Sequence, residues 1–515
     1  MVLANLLITW LIAPFALAFL AALLPRFSAW LSLLAALSTL LVGAWGLLGG
    51  SLELDLIGQL GVQLRIDALA APFLLLNGVL VLAVLLDRWR LPPPGPFQVL
   101  VPVLLGGLNS AFCALDLVSL YVALEVVGIT AFLLILQKRD VQQLWIALRY
   151  LLVGNAVMTL YLVGVALLYL HTGSFRLTAL SGFPPGDRAL AVTVALLLVG
   201  LLTKAGLFLS GLWLPRTHAE APAEISALLS GVVVAGGLCP LLRVAAQLPG
   251  LQPLLTWVGL ASALLGLLYA LLERDLKRLL AWSTVSQLGL VLLNPAVGAL
   301  YAFSHGLAKA ALFLVAGRVP TRDLSRWSSE PLPAGLALPL TLAGLSIAGA
   351  PVLLGHGAKQ LLFAPPVGGF PGLPAAVAHW LLPLLSVGTA AVYARLVWVP
   401  LQPGISGASL LQLPGPLLLV TLLLLAPLVG AGSAPALGQG SDLAKSLAVL
   451  AAGAGVEALR RLFSGLRLPA IRLPDLEKLG DLLGGMAVVG AGLVLVLQGG
   501  ALPLGFEQEV LAWRG

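Results

Sequence analysis

The chain has 515 residues, of which 60% are hydrophobic and only 10% are charged, whereas soluble domains usually carry about 25% charged residues. This composition excludes an ordinary soluble protein and predicts a single membrane-embedded unit. The net charge of +7 does not indicate a nucleic-acid partner, because the basic residues are spread over the connections between apolar runs. The two cysteines, Cys113 and Cys239, lie in separate apolar stretches and indicate neither a disulfide framework nor a CxxC redox or metal motif.

Apolar runs recur along almost the whole chain with short connections. We interpret the first, Val2 to Leu24, as a transmembrane helix and not a signal peptide, because it lacks a basic start and a polar gap before the next run. Since a spanning helix needs about 20 apolar residues, the runs predict about fourteen helices up to Gly432 and about two more beyond it. The predicted fold class is therefore an all-α polytopic membrane protein. The stretch from Leu443 to Leu459 is short enough to lie along the interface instead of crossing.

Lysine and arginine are shared unevenly between alternate connections, and cytoplasmic loops carry the positive excess. The odd-numbered connections and the adjoining helix ends hold fourteen: Arg26, Arg88, Arg90, Lys138, Arg139, Arg149, Arg216, Arg274, Lys277, Arg278, Arg318, Arg322, Arg326 and Arg395. The even-numbered ones hold five: Arg65, Arg176, Arg188, Arg243 and Lys445. This asymmetry predicts that the odd-numbered connections are cytoplasmic and the N-terminus is outside.

Some charged residues stand inside the apolar runs themselves. A charge at a helix centre costs roughly 2.5 to 3.5 kcal/mol on insertion scales, so such groups persist only where they pair, neutralise or line a water-filled cavity. Glu125 is the only charge between Leu117 and Leu136, near the middle of that predicted helix. We interpret it as an ion-path residue; a static ion pair that orders helix packing is the alternative.

Lys204 and Lys359 lie in two stretches that glycine and proline interrupt, one in each half of the chain. The first stretch runs from Ala189 to Leu212 and the second begins at Ala337. Matching broken segments in two halves indicate inverted repeats with an ion path between them. The alternative is a lysine whose head reaches the membrane interface, which suits Lys359 better than Lys204.

Two polar segments and one charged pair follow Lys204 along the chain. HAEAPAE, from His218 to Glu224, offers His218 and Glu220 for proton uptake or gating, although helix capping is the alternative. We interpret the segment ERDLKR, residues 273–278, as a solvated turn. His305 and Lys309 are four residues apart and therefore share one helix face. They are candidates for a proton relay through a water, with a hydrogen-bonded packing histidine as the alternative.

Taken in order, these segments resemble the proton-translocating antiporter-like family shared by respiratory complex I membrane subunits and Mrp multisubunit cation/proton antiporters. The resemblance covers about residues 116–359 and rests on these motifs: DLVSLYVALEVVGITAFLLI, ALRYLLVG, LLTKAGLF, LWLPRTHAEAPAEISALLSG, ERDLKRLLAWSTVSQLGL, HGLAKAALFLVAG and LSIAGAPVLLGHGAKQLL. The HAEAP segment leading into ISALLSG, and the lysine at position 359, are most similar to the D-type Mrp subunit.

The resemblance implies two inverted five-helix repeats whose broken helices carry Lys204 and Lys359. It also implies a Glu125/Lys204 pair in one half and a bridging role for Lys309. A further lysine commonly follows ISALLSG in the family, but an alignment without gaps puts Ala235 there. Either a water or a neighbour substitutes for that lysine, or the path is partly degenerate.

The predicted organisation has five parts: N-terminal transmembrane helices at 1–96, a first antiporter-like repeat at 97–250, a second at 251–402, a further transmembrane helix at 403–434 and a C-terminal extension of about two helices at 435–515. The set of residues expected to translocate protons or ions is Glu125, Lys204, His305, Lys309 and Lys359.

We expect a membrane protein that translocates protons, coupled to a monovalent cation such as Na⁺, as one subunit of a multisubunit antiporter. The first alternative is a proton-pumping subunit of a complex I-like NAD(P)H or ferredoxin:quinone oxidoreductase; the second is an inactive structural module, for which Ala235 is the evidence. The resemblance implies other membrane subunits as partners, and transport without a redox cofactor or metal on this chain. The expected location is a prokaryotic plasma membrane or an internal energy-converting membrane.

Overall fold

The computed structural model describes residues 2–56, 61–89, 96–137, 140–182, 187–327, 329–398, 412–429, 440–462 and 474–499. Within these ranges eleven helices are long and apolar enough to cross a membrane, and three further apolar helices have 10 to 17 residues. The predicted all-α polytopic fold is confirmed. Gly432, Arg90, Lys138 and Arg139, used above to count and orient the helices, lie outside the described ranges.

The helices in chain order are α1 Val2–Leu23, α2 Ser28–Leu47, α3 Ala70–Asp87, α4 Phe97–Cys113, α5 Leu117–Ile135, α6 Val141–Thr172, α7 Arg188–Ala205, α8 Leu214–Glu220, α9 Ala223–Leu228, α10 Val234–Gln247, α11 Gln252–Leu272, α12 Leu276–Val291, α13 Pro295–Ala316, α14 Ala334–Ala348, α15 Leu354–Phe363, α16 Ala375–Val397, α17 Pro414–Val429, α18 Gly440–Leu462 and α19 Leu479–Gly499. Two short strands, β1 Leu52–Asp55 and β2 Gln63–Ile66, form an antiparallel hairpin between α2 and α3. We call the membrane side with the α5–α6 connection the basic side, and the other the opposite side.

Aspartate side chains fix the starts of four helices. Asp116, Asp140, Asp187 and Asp275 each accept a hydrogen bond from a backbone N–H in the first turn of the helix that follows. The first N–H groups of a helix have no partner within the helix, so a side-chain oxygen stabilises the start. These caps place the beginnings of α5, α6, α7 and α12 at defined residues.

Two units, each made of five helical segments, share the same backbone features. The first comprises α4, α5, α6, α7–α8 and α9–α10, and the second comprises α11, α12, α13, α14–α15 and α16. In the first unit segment 115–117 pairs with 175–177, and in the second segment 274–276 pairs with 322–324, through backbone hydrogen bonds of 2.8 to 3.0 Å. Five membrane crossings separate the start of α5 from the start of α12. Because five is odd, the second unit is inverted, as expected for inverted repeats.

A helix break occurs at the same place in both units. Gly206 ends α7 with φ 70° and Gly349 ends α14 with φ 89°, a left-handed conformation that glycine adopts at little cost. Phe208 and Val352, just beyond these glycines, also have positive φ, which is uncommon for side-chain-bearing residues and concentrates at functional sites. The predicted interruptions next to Lys204 and before Lys359 are therefore present in the fold.

The C-terminal helices pack against both units. The helix α18 lies along α16: its Ser446 Oγ is 3.2 Å from His356 Nδ1, and its Arg461 donates to Trp398 O at 2.7 Å on the basic side. Its 23 residues are about 34 Å long at 1.5 Å per residue, enough to cross the bilayer core. By length alone α18 could cross, but it is not among the eleven helices whose composition also suits a crossing. The last helix, α19, packs against α7.

Candidate ion-translocation path

The break in α7 brings a lysine and a carboxylate together. Lys204 lies two residues before Gly206, and its Nζ is 3.6 Å from Oε1 of Glu125 on α5. The same Nζ is 3.5 Å from Leu124 O. The side chains are only 12% and 21% exposed, so this charge pair is largely buried. The arrangement holds an amine next to a carboxylate in the interior of the protein.

Two glycines and one side-chain amide lie around the pair of Lys204 and Glu125. A Cβ atom at Gly128 would lie 3.1 Å from Lys204 Nζ, and one at Gly154 would lie 3.5 Å from it. With its amide oriented to donate, Asn155 reaches Glu125 Oε2 at 3.3 Å. Asn155 was not predicted from the sequence, although an amide inside the apolar run of α6 was a usable signal. These residues leave space for the lysine head and give the carboxylate a neutral partner.

Ala235 lies on the helix segment between Lys204 and the second unit. A Cβ at Gly237 would lie 2.4 Å from Ala205 N, and a Cβ at Gly306 on α13 would lie 2.8 Å from Gly231 O. Ala235 itself is 3% exposed. The segment therefore touches both the end of α7 and α13, and the position without a lysine is buried in the middle of the path.

A pair of buried hydroxyls lies near this gap. Ser230, in the π-helical turn between α9 and α10, has its Oγ 2.8 Å from Thr284 Oγ1 on α12. Both side chains are fully buried. Ser283, the residue before Thr284, forms a 2.8 Å hydrogen bond with Tyr393 OH. Sequence reasoning missed these groups because neutral hydroxyls do not stand out in an apolar helix.

Lys309 is fully buried at the centre of the second unit. It donates to Leu280 O at 2.7 Å and to Tyr393 OH at 2.8 Å. His305, one turn earlier on α13, is buried, and neither ring nitrogen has a hydrogen-bond partner among the described residues. The predicted pair thus shares one helix, with neutral oxygens around the lysine.

Polar side chains continue from Lys309 along α16. Gln287 on α12 accepts from Tyr301 OH at 2.5 Å and donates to Thr389 Oγ1 at 3.1 Å. Ser386, Thr389 and Tyr393 are spaced by three and four residues, so they share one face of α16. Ser386 reaches a cavity of about 900 Å³. These groups were also missed by sequence reasoning, and their helical spacing was the available signal.

Lys359 faces that same cavity. It lies on α15, is 7% exposed, and its Nζ is 3.4 Å from Ala348 O, a carbonyl at the interrupted end of α14. Within the described ranges no carboxylate lies within ion-pair distance of Lys359, in contrast to Lys204. His356, on the same short helix, and His379 on α16 also line the cavity, and sequence reasoning named neither.

His218 and Glu220 differ in exposure. His218 is fully buried, stacks on Phe313 at 4.8 Å between ring centroids, and its ring nitrogens have no partner among the described residues. Glu220 is partly exposed at the end of α8, and its backbone oxygen accepts from Gln143 at 3.1 Å. The nearby Lys277 donates to Ala221 O at 2.6 Å. The structure thus brings His218, but not the Glu220 side chain, into the interior.

A carboxylate outside the membrane-spanning segments joins the two units on the basic side. Glu477, just before α19, forms a 2.7 Å ion pair with Arg278 of α12, and its backbone oxygen accepts from Arg149 of α6. Burial raises the pKa of Glu477 to about 7, although Arg278 acts in the other direction. Among the described residues no three His, Cys, Asp or Glu side chains are arranged to hold a metal ion.

Residues 114–369 match the family described as NADH:quinone oxidoreductase/Mrp antiporter, TM. The chain is 33% identical over 333 residues to the N-type subunit of the NADH-quinone oxidoreductase of Desulforudis audaxviator, covering 59% of this chain and 66% of that protein. It is 31% identical over 284 residues to the D-type subunit of the Na(+)/H(+) antiporter of Alkalihalophilus pseudofirmus, covering 50% and 57%. In the Mrp complex from Dietzia sp., one chain matches with TM-score 0.75 and 25% identity, over 94% of this chain and 59% of that one.

The chain is an integral, multi-pass membrane protein that belongs to the antiporter-like family of complex I and Mrp membrane subunits. The resemblance seen in the sequence motifs is confirmed. The chain spans less than two thirds of the length of each of the two curated relatives, 66% and 57%.

Proposed function

We propose that this chain is the proton-translocating subunit of a multisubunit cation/proton antiporter, similar to the D-type Mrp subunit, with proton movement coupled to a monovalent cation such as Na⁺. The observation that carries this proposal is the buried pair of Lys204 and Glu125, 3.6 Å apart, at the interrupted end of α7. Ionisable groups inside a membrane mark ion paths and proton relays. The likeness to the D-type protein of a Na(+)/H(+) antiporter favours an exchanger.

The proposed mechanism alternates protonation along the buried groups. Glu125 stabilises the Lys204 ammonium while the carboxylate is charged. When Glu125 takes up a proton, Lys204 is left as an unpaired charge, which is costly in a low-dielectric interior. Lys204 then releases its proton toward the second unit, where Lys309, beside His305, receives it and passes it on toward Lys359. Each transfer moves the unpaired positive charge one group further along the path, away from the protonated Glu125.

The hydroxyls Ser230 and Thr284 support the step past Ala235. A hydroxyl both donates and accepts a hydrogen bond, so the pair can carry a proton without holding a permanent charge. Thr284 adjoins Ser283, whose contact with Tyr393 leads to Lys309. This neutral link replaces the lysine that relatives commonly have. His218, buried on the basic side near Lys277, acts in the proposal as the uptake group, and Glu220 at its surface gates access.

Ion exchange in vesicles tests the proposal. The complex is purified, reconstituted, and driven with a Na⁺ gradient while internal pH is followed. Lys204→Ala and Glu125→Ala should abolish exchange while the complex still assembles. The matched controls are the exposed residues Lys478 and Glu330, whose alanine variants should exchange normally. Normal exchange by both pair variants would remove the pair from the path.

The second candidate is a proton-pumping subunit of a complex I-like NAD(P)H or ferredoxin:quinone oxidoreductase. The identity of 33% to the N-type protein of an NADH-quinone oxidoreductase favours it. Subunit composition after purification in mild detergent separates the two candidates. Flavin- or iron–sulfur-bearing partners support the oxidoreductase, and small membrane subunits alone support the antiporter.

Partners and orientation are part of the same proposal. Relatives named as subunits, including one in an Mrp complex, support assembly with other membrane subunits in a prokaryotic membrane. The excess of lysine and arginine supports a cytoplasmic basic side and an external N-terminus. A cysteine introduced at Lys445, on the opposite side, should react with an impermeant thiol reagent added outside intact cells. Reaction only after the cells are opened would reverse the orientation.

A further inference from the structure

The cavity beside Lys359 has a wall that neither repeat supplies. It has a volume of about 900 Å³, and the residues relevant here are His356, Lys359, His379, Asp442, Lys445 and Ser446. The last three belong to α18, in the C-terminal extension. The side chains of Asp442 and Lys445 are 41% and 76% exposed, whereas Lys359 is 7% exposed. The cavity, which we call the outer chamber, thus leads from a buried lysine to an exposed end.

His356 lies where Lys359 meets the outer chamber. The two residues are three apart on α15 and share one helix face. His356 is 5% exposed. Its Nδ1 is 3.2 Å from the backbone oxygen of Gly349, the residue that ends α14 at the helix break, and 3.2 Å from Ser446 Oγ on α18. The ring is therefore held between the interrupted helix and the C-terminal extension.

These contacts select one tautomer of the ring. Gly349 O can only accept a hydrogen bond, so Nδ1 carries the hydrogen and donates it, and the Ser446 hydroxyl oxygen shares that donor. In a neutral imidazole the other nitrogen is then the acceptor. Nε2 makes no hydrogen bond to the described residues. His356 therefore offers a free base on the same helix face as Lys359, a lysine with no carboxylate at ion-pair distance in the described ranges.

We propose that His356 transfers protons between Lys359 and water in the outer chamber, and that Ser446 of α18 positions the ring for this transfer. The inference rests on the proposed proton translocation and adds its terminal step. The Lys359 ammonium gives a proton to Nε2, which forms an imidazolium. The imidazolium then gives that proton to chamber water and returns to the neutral tautomer. One proton moves, and no other reactant is needed.

Chemical rescue in the reconstituted complex tests this step. His356→Ala should lower Na⁺-driven proton exchange by about tenfold or more, because a positioned proton-transfer group typically contributes 10²–10⁴-fold. Imidazole added on the chamber side should restore exchange in proportion to its concentration. Pyrazole, a ring of the same size that is not protonated near neutral pH, should not. His171→Ala, an exposed histidine at the end of α6 whose ring contacts Leu167 O, is the matched control and should exchange normally.

Ser446→Ala should lower exchange by about two- to fivefold, a loss smaller than for His356, and imidazole should restore little, because the ring is still present but less well held. If His356→Ala does not assemble, His356→Asn keeps an amide donor toward Gly349 O and cannot carry a proton. It should show the same loss and the same rescue.

Normal exchange by a histidine variant, or a loss that imidazole and pyrazole affect equally, would overturn the terminal role of His356. Those results leave the proposed function intact as long as Lys204→Ala is inactive. Absence of exchange by the unsubstituted complex would instead contradict the proposed function itself.

Discussion

The two broken helices share a backbone design but place their lysines in different surroundings. Lys204 is paired with Glu125, and glycines and an amide enclose the pair. Lys359 has no carboxylate at ion-pair distance among the described residues and faces the outer chamber. In the proposed mechanism the same interruption serves two purposes. One half holds a charge pair that switches, and the other holds a lysine, without an ion-pair partner among the described residues, that exchanges protons with water.

The largest expected contrast is in stability after loss of one charge. Glu125→Ala leaves Lys204 as a buried unpaired charge and should destabilise the complex by about 3 kcal/mol, because breaking a buried pair typically costs that much. Adding Lys204→Ala should recover much of the loss. Lys359→Ala should change stability little, since no ion pair is broken. Thermal unfolding midpoints in detergent measure all three, and equal losses for Glu125→Ala and Lys359→Ala would erase the distinction between the halves.

Alanine substitutions of Gly206 and Gly349, the glycines at the two helix breaks, should also lower stability by different amounts. A non-glycine residue in the left-handed region costs roughly 1–2 kcal/mol. A Cβ at Gly206 would in addition lie 2.3 Å from Leu214 Cδ1, whereas one at Gly349 would lie 3.2 Å from Lys359 Cδ. Gly206→Ala should therefore lower the unfolding midpoint more than Gly349→Ala. Gly357→Ala, where a Cβ would meet nothing within 4 Å, is the control and should not lower it. The reverse order of Gly206 and Gly349 would contradict this account of the breaks.

The smallest expected effect concerns the junction of the halves at Glu477. Its pKa in the folded protein is raised to about 7 from an ordinary value of 4.5, so the folded state binds the proton more tightly than the unfolded state. Stability from this group is present at low pH and is lost as pH rises from about 4.5 through 7. The unfolding midpoint should decline between pH 5 and pH 8. In Glu477→Gln the free energy of unfolding should fall less over this pH range, by on the order of 1 kcal/mol. Identical pH profiles for the two proteins would exclude the effect.

The charged part of the path could be predicted from sequence because charge inside an apolar run is costly and therefore conspicuous. Glu125, Lys204, Lys309 and Lys359 stood out for that reason, and glycine and proline marked both breaks. Neutral polar groups carry a weaker signal, so Asn155, Thr284 and Ser386 were overlooked. His356 was missed because its proposed role depends on Ser446, ninety residues away on α18. Only the packing of α18 against α16 brings them together.

The central claim is that Lys204 releases protons and does not merely form a static ion pair with Glu125. Lys204→Arg tests this most directly, because arginine keeps the positive charge and the ion pair but is not deprotonated in proteins. Na⁺-driven pH change in vesicles containing the reconstituted complex is the measurement, with thermal unfolding to establish that the pair is retained. The account predicts a stable complex with no exchange. A stable Lys204→Arg complex that exchanges as fast as the unsubstituted one would contradict it.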